Sequence, residues 1–196
     1  MDGKRREHTR FGRLSLAALV LFVGLGAGAP AVAQEAEEGG DSSAAETQVE
    51  RGREIVVEES GLRCRRPEAW VRGKPGKGAV LTLRAAGDPN SQIEVRVSSP
   101  ITQQKREDFF NSFHSKLKSA GFIEVDRRRQ QTYGERTGQE IEYEGSTSEG
   151  AFRLVVWQYY RGGEAWLISG FFPVPRRDEY YPDFAALIES IEFSDG

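Results

Sequence analysis

A chain of 196 residues carries 27 Lys/Arg against 30 Asp/Glu, a formal net charge of −3, with one cysteine and two histidines. A lone cysteine excludes an internal disulfide, and so few His and Cys donors exclude a zinc-type cluster. The acid excess speaks against general nucleic-acid binding, which needs a net basic face to collect phosphates.

Residues 1–33 read as an address. MDGKRREHTRFGR is basic, LSLAALVLFVGLGAGAP is apolar and small, and Ala31 and Ala33 stand three and one residues before a cut ahead of Gln34. This is the pattern of a secretory signal peptide. Gly24, Gly26, Gly28 and Pro30 interrupt the apolar stretch, which makes it a poor spanning helix where about 20 strongly apolar residues are wanted. An uncleaved anchor is the rival reading. Arg5-Arg6 is a twin arginine, but Glu7-His8 follow where an apolar residue is expected. The expectation is Sec-type export to a bacterial periplasm or beyond, with cleavage after Ala33 and no integral span afterwards. Residues 1–33 hold five Lys/Arg and two Asp/Glu, so the mature chain keeps 22 bases against 28 acids, a net charge of −6.

Residues 34–52, QEAEEGGDSSAAETQVERG, are acidic, small and almost free of large apolar side chains. They bury too little to offset their ordering entropy, so the sequence predicts a disordered linker. Residues 53–196 remain as one domain of ordinary size.

REIVVEES predicts a short strand. In GLRCRRPEAW, Leu62 and Cys64 alternate with Arg63 and Arg65, a second extended piece. Pro67 holds Arg66 extended and begins a turn, and Trp70 returns the chain to the core. RGKPGKG is a loop. AVLTLRAA and SQIEVRVSS alternate as strands on either side of GDPN, a hairpin. In TQQKREDFFNSFHSKLKSAGF, Phe109, Phe113 and Leu117 recur every four residues, with Phe110 and Ala120 beside them. That spacing predicts a helix, capped by Thr102 or Ser99 and stopped at Gly121. Four strands follow, FIEVDRRRQQTY, QEIEYEG, AFRLVVWQYY and AWLISGFF, joined by short Gly-containing turns that favour antiparallel neighbours. The last two are apolar on both faces and belong mid-sheet. Tyr180, Phe184, Leu187, Ile188 and Ile191 predict a terminal helix with Pro182 in its first turn. The fold class is therefore α+β: a single antiparallel β-sheet with helices packed on both faces.

The stretch from Leu62 to Trp70, a strand followed by Pro67, Glu68, Ala69 and Trp70, resembles the opening signature of the PsbP-like superfamily. The later order is similar too: hairpin, helix, meander, aromatic strand and a terminal helix ending in Ile-Glu-Ser-Ile-Glu-Phe. The resemblance covers about residues 53 to 194. It implies an α/β/α sandwich and a binding or accessory role without catalysis. No functional residue of the family maps onto this chain.

Candidate sites are few. Cys64 reads as a small buried hydrophobe, because its neighbouring arginines point to the opposite strand face. His114, at the edge of the helix stripe, reads as a partly exposed surface residue. Glu140, Glu142 and Glu144 share one strand face, where three carboxylates could bind calcium through their oxygens but read as solvated and paired across strands. The alternative is a small hydrolase using such carboxylates in a cleft between sheet and helix. No nucleophile elbow, phosphate loop, zinc motif or cofactor motif occurs. Trp157, Tyr159, Tyr160, Trp166, Phe171 and Phe172 read as core and strand pairing. Two basic runs remain: Arg127, Arg128 and Arg129, and Arg72, Lys74 and Lys77. Either can meet an acidic protein surface, anionic lipid or cell-wall polymer, or else keep the chain soluble and guard an edge strand. Strand alternation sets Arg128 apart from its two neighbours, and Glu142 is the expected partner of Arg127 or Arg129. The expected function is an exported, non-catalytic accessory protein whose partner is another protein.

Overall fold

The computed structural model describes residues 50, 51 and 53–193. The expected signal peptide and nearly all of the expected linker lie outside the described residues. Glu50 and Arg51, at the end of the expected linker, instead form strand β1 and pair with β2 (Glu54–Val57).

The main sheet has seven antiparallel strands in the order β4-β5-β6-β10-β9-β8-β7. β4 is Trp70–Arg72, β5 Leu81–Ala85 and β6 Asp88–Val97. Helix α1, Gln103–Ser119, leads to the meander β7 (Ile123–Tyr133), β8 (Arg136–Thr147), β9 (Gly150–Arg161) and β10 (Glu164–Pro173). Helix α2, Arg177–Glu189, closes the described chain with β11, Glu192–Phe193. The predicted hairpin, helices and meander are all present, and the α+β class holds.

A second sheet departs from the single-sheet expectation. β1, β2, β3 (Leu62–Arg65) and β11 form four short strands in that order. Gly61 at φ 61° turns the chain between β2 and β3, a left-handed position that glycine adopts without steric cost. β11 then pairs Phe193 with Leu62. Leu62 and Cys64 are buried while Arg63 and Arg65 are exposed, as the alternation predicts.

The main sheet divides two cores. On one face Trp70, Leu83, Ile168, Phe184 and Leu187 pack with Ile55, Leu62 and Cys64 of the small sheet. On the other, Phe113 and Leu117 of α1 pack on Ile141, Val156 and Phe171. Trp70 also donates from Nε1 to Asp183 at 2.8 Å, tying the turn after Pro67 to α2. Thr102 caps α1, accepting from the Lys105 amide, and Gly121 at φ 87° ends it. Pro182 lies inside α2 rather than in its first turn, because the helix already begins at Arg177, after the 3-10 turn Val174–Arg176. The ring leaves the Asp178 carbonyl without its helical amide partner.

Candidate functional site

The run Arg127–Arg129 is split between the two sheet faces. β7 pairs Arg127 with Ile141 and Arg128 with Glu140, and the register shifts between Arg128 and Gln131. Ile141 belongs to the core under α1, so Arg127 rises on the α1 side and Arg128 on the α2 side. The expected difference between Arg128 and its neighbours is therefore observed.

On the α2 side Arg128 joins a charge network. Glu140 is 1% exposed and Glu142 6%, so the reading of these glutamates as a solvated face is wrong for both. Arg128 reaches Glu140 at 3.2 Å, Asp126 at 3.3 Å and Glu142 at 3.8 Å. Glu142 thus meets Arg128, not Arg127 or Arg129. It also accepts from Arg177 of α2 and lies 3.9 Å from Arg153. Tyr133 and Tyr181 donate to Glu140. Burial and the Glu140 contact push the Tyr133 hydroxyl far above its ordinary range. α2 covers these strands with Arg177 and Tyr181, a long-range event that alternation alone does not show. Arg128 and Arg177 neutralise these buried glutamates, and neither glutamate lines the groove beside α1.

On the α1 side a groove of about 650 Å³ runs between the helix and the strands β7, β8 and β9. Its helical wall carries Arg106, Phe110, His114 and Lys118, each four residues from the next. Its sheet wall carries Arg127, Arg129, Gln139 and Tyr160. Arg127 is anchored: it donates twice to Glu124 at 2.6 Å and to Gln139 at 3.2 Å. That bond, with the charge of Arg127, lowers the Glu124 pKa. Arg106 lies 5.0 Å over the Tyr160 ring. Among the described residues, Arg106, Lys118 and Arg129 have no acidic partner at ion-pair distance. Gly138 also lines the groove, and a side chain there would run into the Gln158 carbonyl and the Trp157 ring of the neighbouring strand.

His114 lines the groove and is half-buried, partly exposed as its place at the stripe edge predicts. Gln158 Nε2 donates to its Nε2, which leaves Nδ1 as donor to the Tyr143 hydroxyl. Burial lowers its pKa to about 4, with Arg127 adding to the effect. It is a neutral structural imidazole at neutral pH. Among the described residues, no three His, Cys, Asp or Glu side chains gather to hold a metal ion.

The second basic run lies toward the opposite edge of the sheet, at β4 and the loop after it, so the structure does not join the two runs. Lys74 and Lys77 are exposed, and Arg72 is half-buried with Nη2 lacking a partner. The Lys77 carbonyl accepts from Arg96 at 2.7 Å, and Arg96 forms a buried pair with Glu94 at 2.6 Å. Cys64 is buried, and burial pushes its thiol up to about 12 against a smaller lowering by Arg72. It is a packed residue, as the strand pattern suggests. Arg106 and Lys118 were the residues missed; their spacing with Phe110 and His114 at i, i+4 was the available signal.

These faces belong to an α+β protein of PsbP-like fold. Comparison with solved structures gives cyanobacterial PsbP (CyanoP) from Synechocystis sp. PCC 6803, with TM-score 0.54, 12% identity, and 71% of this chain aligned to 91% of that one. The Ran-binding protein Mog1p of Saccharomyces cerevisiae aligns at TM-score 0.51 and 8% identity over 72% of this chain and 95% of that one. LpqN of Mycobacterium tuberculosis, involved in cell envelope biogenesis, aligns at TM-score 0.50 and 12% identity over 68% and 83%. The chain spans about half the length, 49%, of a Bacteroides thetaiotaomicron structure that it matches at TM-score 0.51 and 10% identity. The sequence matches no family model and no curated protein. Among the described residues, no helix is long and apolar enough to cross a membrane.

Proposed function

We propose that this is an exported, non-catalytic accessory protein of the bacterial cell envelope, and that it holds another protein through the groove beside α1. The observation that supports this reading most is the trio Arg106, Lys118 and Arg129, gathered on one groove with no acidic partner among the described residues. Unpaired cations on a net acidic chain give a local field that steers an acidic surface toward it. Export rests on the basic, apolar and Ala-Val-Ala pattern of residues 1–33. LpqN's part in envelope biogenesis and Mog1p's binding of Ran fit a protein that works by contact.

The test is a photo-crosslinking residue at Asn111, an exposed position on the groove, in the protein made by its own host. An adduct with one envelope protein, lost when Arg129→Glu and Lys118→Glu are added, supports the reading. Adducts that survive both reversals, or none at all, reject it. N-terminal mass analysis of the exported chain, expected to begin at Gln34, tests the compartment. An intact Met1 chain in the membrane fraction favours the uncleaved anchor.

A further inference from the structure

We infer that the groove beside α1 takes an extended peptide segment about five or six residues long, acidic at both ends and apolar in the middle. This deepens the proposed protein contact and rests on it. The length follows from the helix. Arg106 and Lys118 both line the groove twelve residues apart on α1, and at about 1.5 Å per residue they stand about 18 Å apart along its axis. An extended chain advances about 3.3 Å per residue, so it covers that distance in five or six residues. A single phosphate cannot touch cations so far apart, whereas two acidic ends of one strand can.

The interior of the groove agrees with this division. Phe110 lies between the two cations on the helix wall, one turn from Arg106, and offers an apolar contact there. Asn111 and Gln139 present amides, which can pair with a peptide backbone that has no strand beside it. Arg129 stands exposed on the sheet wall, with no acidic partner among the described residues. The fixed Arg127 guanidinium is already held by Glu124 and Gln139 and acts as a rigid wall.

The start of α1 is an independent sign. Its first turn contains no acid, and Lys105 and Arg106 occupy its third and fourth positions. The positive end of the helix macrodipole disfavours cations there. A carboxylate brought against Arg106 is attracted by the guanidinium and by the helix end together. The local cost in the free protein becomes a gain in the complex. The free edge of β7 is a poorer docking line for the same segment. Register shifts between Glu124 and Asp126 and between Arg128 and Gln131 break its run of backbone groups, as bulges do at protected edges.

The test uses the full chain and a fluorescein-labelled, capped heptapeptide, Glu-Asp-Ser-Leu-Ser-Asp-Glu, read by anisotropy at low salt and at about 0.15 M. Two further peptides keep the acids at one end only. Saturable binding that weakens with salt is expected. Arg106→Glu and Lys118→Glu should each weaken the doubly acidic peptide about tenfold. Each one-ended peptide should feel only one of the two reversals, because its neutral end lies beside the other position. Unchanged melting temperatures of both variants establish that they are folded. Equal sensitivity of both one-ended peptides to both reversals overturns the extended mode. So does displacement by inorganic phosphate at the peptide's own concentration, or binding to phosphatidylglycerol vesicles in place of the peptide. If the peptide fails while the Asn111 adduct persists, the groove meets a folded acidic surface: the extended mode falls and the proposed function stands.

Discussion

Replacing Glu142 by glutamine isolates the worth of the charge network beneath α2. The substitution keeps the shape and one acceptor but removes the charge that Arg177, Arg128 and Arg153 share. Removing one partner of a fully buried pair costs about 3–5 kcal/mol, because the other charge is stranded. Here the carboxylate is buried, yet the Arg128 side chain is 42% exposed and Arg153 and Arg177 also reach water. Solvent takes up part of the stranded charge, so the expected cost falls to about 2 kcal/mol. For a domain of this size that is a drop in Tm of about 5–10 °C. The assay is chemical denaturation beside a thermal melt, with Glu144→Gln as control. Glu144 pairs with Arg153 at 2.7 Å, but its side chain is 41% exposed, so its loss should cost under about 0.5 kcal/mol. Equal losses for the two variants would show that burial beneath α2 does not set the strength of this network. Binding at the groove should be unchanged in both, since it opens on the opposite face of the sheet.

Arg128→Glu should destabilise rather than act as a silent surface change, because it sets a third carboxylate beside Glu140 and Glu142; a wild-type melting curve would refute this. Burial depresses the His114 pKa from 6.5 to about 4, so between these values the unfolded chain holds more protons and stability falls as pH drops through that window. After discounting for solvent screening the loss is about 1–2 kcal/mol, and His114→Gln should flatten the stability profile between pH 4 and 6.5. Cys64 should label slowly with a thiol reagent in the folded state and quickly in denaturant, since burial holds its thiol near 12; rapid native labelling would refute the packed assignment.

The elements that were legible in the sequence are those whose pattern is local. Phe109, Phe113 and Leu117 announce α1, and the alternation of Leu62, Arg63, Cys64 and Arg65 announces β3. The small sheet was hidden because its last strand is two residues long and pairs Phe193 with Leu62 across most of the domain. Glu140 and Glu142 misled for a related reason. Alternating carboxylates look solvated until Arg177 and Tyr181 arrive from a helix some forty residues later. Of the basic runs, Arg127 and Arg129 reach the groove, but only the fold adds Arg106 and Lys118 to them. Arg128 was a binding candidate on charge alone, beside the rival reading of solubility; its network partners became visible only with the observed register and α2.

The two helices are anchored unequally. α2 buries Tyr180, Phe184, Leu187 and Ile188 in a core shared with the small sheet, whereas α1 fully buries only Phe113 and Leu117 along its greater length. Local opening follows the apolar surface that holds an element down. Backbone amides of α1 therefore exchange with solvent deuterium well before those of α2 or the central strands. The helical wall of the groove is thus the more weakly anchored layer, and the width of the cleft is expected to follow the bulk of what enters it.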